Sequence, residues 1–120
     1  MSLFGIGRKP KESRIHGIRL KVRAGTEALP EPLIGAYVTA FSIAEEPREA
    51  VVNGVRSLQA MGYDFEEVLP EGLSMPLADW GSYVDQAWPE FSDQLPSQAD
   101  IAGALSNGGV VFSPFAGFES

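Results

Sequence analysis

The sequence has no cysteine and only one histidine, His16. Disulfides, thiolate metal sites and cysteine nucleophiles are excluded, and a zinc or iron centre has almost no ligands to draw on. Long apolar runs are also missing. The longest, residues 33–44, is interrupted by Thr39 and Ser42. It falls short of the roughly 20 residues that span a bilayer. No basic start leads into the apolar stretch of a secretory signal. The chain reads as a cytoplasmic protein.

Basic residues are scarce in most of the chain. Seven of the nine fall in the first 23 residues: Arg8, Lys9, Lys11, Arg14, Arg19, Lys21 and Arg23. Only Glu12 opposes them, so residues 1–23 carry +6 and residues 24–120 carry −13. The net charge of −7 thus averages a basic leading segment and an acidic body. Such a body repels nucleic acid and anionic membranes and attracts cationic proteins.

What is present suits one globular domain: 120 residues, 44% hydrophobic and 21% charged. Residues 1–13 read as a flexible basic leader. Gly5, Ile6 and Gly7 before Arg8 and Lys9 lack the strand, third glycine and helix of a phosphate-binding fingerprint. Residues 14–120 read as a single α+β domain. His16, Ile18, Leu20 and Val22 alternate with Arg19, Lys21 and Arg23, which predicts a half-buried strand with a basic outer face. Residues 24–32 read as a loop. Residues 33–43 are apolar on both faces and predict a central strand covered on at least part of each side.

Glu45, Glu46 and Pro47 open a helix. Ala50, Val51, Gly54, Val55, Leu58 and Met61 share its apolar side, and Gly62 stops it. Gly54, in the middle of that stripe, implies a close approach to the sheet. Residues 63–69 predict a third strand of imperfect alternation. Trp80, Tyr83, Val84, Ala87 and Trp88 follow helical spacing, with Asp79 as N-cap, and Pro89 fits poorly inside that helix. Ser97 and Asp100 resemble a capping box for a short helix that ends at Asn107, Gly108 and Gly109. Residues 110–112 predict a last strand, broken at Pro114. The order ββαβααβ predicts a two-layer α+β sandwich: one mainly antiparallel sheet of about four strands, with helices packed on one face. Leu20, Val38, Phe41, Val51, Val55, Leu58 and Val111 are its expected single core.

No catalytic motif emerges. His16 lies on the inner face of its strand without a nucleophile motif, and reads as structural. The carboxylate pairs Asp64–Glu66, Glu45–Glu49 and Glu66–Glu67 read as a solvated surface, with no calcium-loop spacing among them. No cofactor or metal is expected, and the chain reads as a non-enzyme. The leading expectation is a protein-binding module with an acidic surface, such as a small inhibitor of a basic partner protein. The contact is placed at Asp64, Glu66, Glu67 and Glu71. These acids also have a duller use, pairing with the basic strand. The alternative is a small-ligand domain with a surface or pocket lined by Trp88, Phe91, Phe115 and Phe118, which flank prolines in irregular segments.

Residues 1–12 hold too little apolar surface to offset the entropy of ordering them. Their deletion is expected to leave the melting temperature of the domain unchanged. A large drop in a calorimetric scan would mean that Leu3, Phe4 and Ile6 dock on the body or on a partner subunit.

Overall fold

The computed structural model describes residues 14–25, 29 and 33–118. The expected leader over 1–13, and residues 26–28 and 30–32 of the expected loop, lie outside the described residues.

Two long strands, β1 (Arg14–Ala24) and β2 (Gly35–Ala44), organise the sheet. They pair antiparallel from Arg14↔Ala44 to Arg23↔Gly35. Because side chains alternate along a strand, this register puts the even-numbered residues of both on one face and the odd-numbered on the other. The even face carries Ile18, Leu20, Val22, Ala36, Val38 and Ala40, all buried. Helix α1 (Pro47–Ala60) covers that face. Pro47 sits in the first turn, where its missing N–H costs nothing, and Gly62 at φ 97° ends the helix. Ala50, Gly54 and Leu58 are buried and Val51 and Val55 half-buried. Met61, which the helical wheel puts on the same stripe, is exposed.

Each edge of the long pair carries two short strands. β3 (Tyr63–Val68) pairs with residues 20–24 of β1, and β4 (Leu73–Met75) with residues 15–17. On the other side β5 (Val111–Phe112) pairs with Ala40 and Phe41, and β6 (Ala116–Phe118) with residues 35–37. The α+β class and the antiparallel sheet are as expected, but the sheet has six strands rather than about four. Three residues between Gly72 and Pro76, or around Gly117, are too few to show an alternation.

The helices also lie on both faces rather than one. Helix α2 (Trp80–Ala87) packs on the odd face, joined by the single turn α3 (Ile101–Ala104). Short 3-10 turns at Leu77–Asp79, Pro89–Gln94 and Ser106–Gly108 flank them. Ile15, Phe41, Met75, Trp80, Val84, Leu95, Ile101 and Leu105 form a second core there. The Phe41 ring meets Trp80 at 5.0 Å and Tyr83 at 5.6 Å, both edge-on. Its register partner Gly17 leaves that room, since a Cβ there would lie 2.9 Å from the ring. The expected single core is therefore two, divided by the sheet. Phe41 and its partner Val111 belong to the second.

The two expected N-terminal caps differ in outcome. Asp79 makes no side-chain bond to α2, which is entered from the preceding 3-10 turn instead. Ser97 closes the turn that leads into α3 rather than capping the helix itself: the Asp100 N–H donates to Ser97 Oγ at 3.2 Å, and that hydroxyl donates to Asp100 Oδ2 at 3.1 Å, while Asp100, the N-cap residue, makes no side-chain cap bond. Helix α2 stops before Pro89, at Trp88 with φ −134°.

Gly54 yields a sharp test of the α1 packing. A Cβ there would lie 2.9 Å from Ala40 Cβ. Gly54→Ala should gain about 1 kcal/mol of helix propensity, yet overpacking in a tight core costs typically 1–3 kcal/mol. Net destabilisation in urea denaturation is expected. Net stabilisation would mean that α1 stands further from the sheet. Leu58→Ala, at a fully buried position, should cost about 2–5 kcal/mol.

Candidate functional site

Three of the four acids expected to meet a partner, Glu66, Glu67 and Glu71, are engaged by side chains of β1. Arg19 Nη1 donates to Glu71 at 2.8 Å. Lys21 Nζ lies 3.0 Å from Glu66 and 3.9 Å from Glu67, and Arg23 Nε also donates to Glu66. Asp64 stands opposite Arg23 in the register. A bulge lets this happen. The β1–β3 register jumps between Lys21 and Val22, so that Lys21 faces Glu67 and Val22 faces Phe65. Glu66 is the extra residue, which is why β3 alternates imperfectly in sequence. The Glu66 carboxyl is held below its ordinary range, chiefly by the hydrogen bond from Lys21 and then by that from Arg23. Lys21 is raised, chiefly by Glu66.

The aromatic set does not form one surface. Trp88 and Phe91 make a pair at 6.5 Å beside α2. Phe115 packs with Tyr63 and Phe112 on the α1 side of the sheet. Phe118 lies 4.9 Å from Tyr37 on the odd face, with Lys21 Nζ 5.4 Å from its centroid.

One cleft gathers polar and aromatic groups from across the sequence. It lies where the helix-covered half of the odd face meets the uncovered half. Its floor is Arg19 and Thr39, cross-strand partners on β1 and β2, with Tyr37 beside them. Tyr83 and Trp88 form one wall, and Ser113, Pro114 and Ala116 the other. The volume is about 230 Å³. Ser113 takes over where β5 stops: its N–H donates to Thr39 O at 2.9 Å, and its Oγ accepts from Thr39 N at 2.9 Å. Thr39 is thus fixed by its backbone, and its hydroxyl makes no hydrogen bond among the described residues. Trp88 Nε1 donates to the Tyr83 oxygen at 3.2 Å. Burial raises the Tyr83 phenol above its ordinary range, against the lesser, opposing pull of Trp88. It therefore keeps its proton at neutral pH and remains a donor.

Among the described residues, Arg19 is the only charged one lining this cleft. Neither an imidazole nor a carboxylate is among the described residues that line it. Its chemistry is hydrogen-bond donation and ring contact. His16 is elsewhere, on the even face beside Pro47, Gly72 and Leu73. Its Nε2 and the Oγ of its cross-strand partner Ser42 are both buried with no hydrogen-bond partner among the described residues. Among the described residues no group of His, Asp and Glu is placed to hold a metal ion, and no helix is long and apolar enough to cross a membrane. Comparison of the chain with protein-family models, curated proteins and solved structures finds no match.

The ion-pair ladder has a pH signature. A carboxyl lowered in the folded state contributes stability above its unfolded pKa and loses it as the pH falls through the folded value. Glu66 therefore supports the fold at neutral pH and ceases to do so in acid. Glu66→Gln is expected to show a shallower loss of urea midpoint between pH 7 and pH 3 than the parent. Identical pH slopes would mean that the ladder is not coupled to folding. For the same reason, reversing Glu66 to Lys disturbs the sheet edge as well as any association.

Proposed function

We propose that this chain is a non-enzymatic binding domain whose recognition site is the cleft over Arg19 and Thr39. The observation that carries this is the convergence of one guanidinium, four hydroxyl-bearing residues (Tyr37, Thr39, Tyr83 and Ser113) and one indole in a single hollow. Ligand sites are mostly apolar hollows with a few fixed polar groups, and this one has both. The hollow along α1, lined by Val51, Val52, Val55, Arg56 and Gln59, is larger at about 360 Å³. It lies along one helix and has no convergent donors. A volume of about 230 Å³ suits one ring or one side chain rather than an extended ligand. A cysteine-free chain suits the reducing cytoplasm, where we place it.

A second reading keeps the acidic surface as a docking face for a basic protein. No Lys or Arg follows Arg56, while Asp79, Asp85, Glu90 and Asp93 follow on exposed positions around α2. The acids of the ladder are already paired, so this face rather than β3 is where a cationic partner would be met. The Trp88–Phe91 pair beside Glu90 supplies the apolar contact that a docking face requires.

A screen of single-ring fragments followed by amide NMR separates the readings. The cleft reading expects shifts at Thr39, Tyr83, Trp88 and Ser113, lost in Trp88→Ala. Shifts confined to the α1 hollow, or none at all, would sink it. The docking reading expects a basic partner whose association rate falls with added salt and with Asp85→Lys plus Glu90→Lys. A rate indifferent to both would remove it.

A further inference from the structure

We infer that the cleft selects a small aromatic or other ring compound bearing a carboxylate. This rests on the cleft being a binding site, and goes further by fixing the ligand's charge. The protein has 16 acidic residues and nine basic ones. Among the described residues that line this cleft there is no carboxylate, and their one charge is the Arg19 guanidinium. The hollow along α1 is likewise lined by one arginine and no acid, but brings neither a hydroxyl nor an aromatic ring beside it.

The polar groups match an anion in kind as well as in sign. Arginine only donates hydrogen bonds, in a planar fork that fits a carboxylate. The Tyr83 oxygen already accepts from Trp88 Nε1, so its remaining capacity includes the phenol proton. The Thr39 hydroxyl makes no hydrogen bond among the described residues and sits on a residue 8% exposed, within the lining. The faces of Tyr83 and Trp88 supply flat apolar contact for a ring. The volume of about 230 Å³ admits little more than one.

Glu71 shows how the guanidinium is used in this chain. Its carboxylate, on a side chain 78% exposed, takes one Arg19 N–H at 2.8 Å. This exposed acid, bonded to Arg19, occupies part of the fork that a ligand carboxylate would use. Glu71 therefore acts as an internal competitor, and its removal strengthens binding.

The test titrates benzoate and its neutral counterpart benzamide into the full chain and follows the Trp88 indole N–H by NMR. Hydrogen bonds to a charged group favour benzoate by about 10-fold or more in affinity. Arg19→Gln should abolish that preference. Arg19→Lys should recover part of it, because the charge stays while the fork is lost. Glu71→Gln should tighten benzoate several-fold and leave benzamide unchanged. Circular dichroism of each variant checks the fold, and Glu71→Gln, at an exposed position, tests the idea even where an Arg19 variant unfolds. If benzamide binds as well as benzoate, or if Glu71→Gln leaves benzoate unchanged, the cleft stands and the anion inference falls. If neither ring compound moves the Trp88 signal, both fall.

Discussion

The antiparallel register of β1 on β2 is the constraint on which the other elements depend. It sets the parity of every residue in the sheet. Leu20 and Val38 are opposite each other under α1, while Arg19 and Thr39 are opposite each other on the reverse face. A slip of one residue on either strand would turn its whole side-chain set over. Arg19, Lys21 and Arg23 would then point under α1, where an unpaired charge is expensive to bury. The slipped state is thus opposed both by lost apolar burial and by charge. Gly17 and Gly35 reinforce the same choice. Each leaves space for one ring, Phe41 over the first and Phe118 over the second, and neither ring would find that space in another register.

Parity also divides the molecule by function. The even face is a closed core with a long helix on it. The odd face is closed only around Phe41, where α2 and α3 stand. Thr39 marks the border, and Ser113 secures it by supplying the hydrogen bonds that β5 would have made one residue further on. Beyond the border lies a sheet surface with cations in its middle and acids along its β3 edge. Lys21 and Arg23 are satisfied by Glu66. Arg19 is held, among the described residues, by Glu71 alone, and lines the cleft.

Local patterns made much of this legible in the sequence. The alternation through Leu20 and Val22 marked β1 and its outward cations. Pro47, Gly54 and Gly62 placed the start, the docking point and the end of α1, because each acts on the backbone where it stands. The pairing of the acids with β1 was also visible as a charge pattern. The two-sided apolarity of β2 already required cover on both faces, but nothing local said that α2 would provide the second cover. β4 and β6 escaped because strands of three residues have too short a period to detect. The cleft was least legible. Arg19, Thr39, Tyr83 and Ser113 come from four separate segments, and only the sheet register brings them together. Trp88 stands out in sequence by its irregular surroundings. Phe115 and Phe118 stand out in the same way, but the strand break at Pro114 leaves them on opposite faces.

The paired short strands at each edge have a bearing on how this chain behaves among copies of itself. A sheet built on two strands of ten and eleven residues would be expected to present long unpaired borders. Here one border is cut at Pro70 and Gly72, between β3 and β4, and the other at Pro114, between β5 and β6. β3, the longest outer strand at six residues, carries Asp64, Glu66 and Glu67 and a bulge. Backbone groups on both borders are thus offered in short, twisted, charged or proline-broken segments, which are poor templates for another chain to extend. The same interruptions that hid two strands from the sequence pattern leave the domain's borders resistant to intermolecular β-pairing and to the aggregation that follows from it.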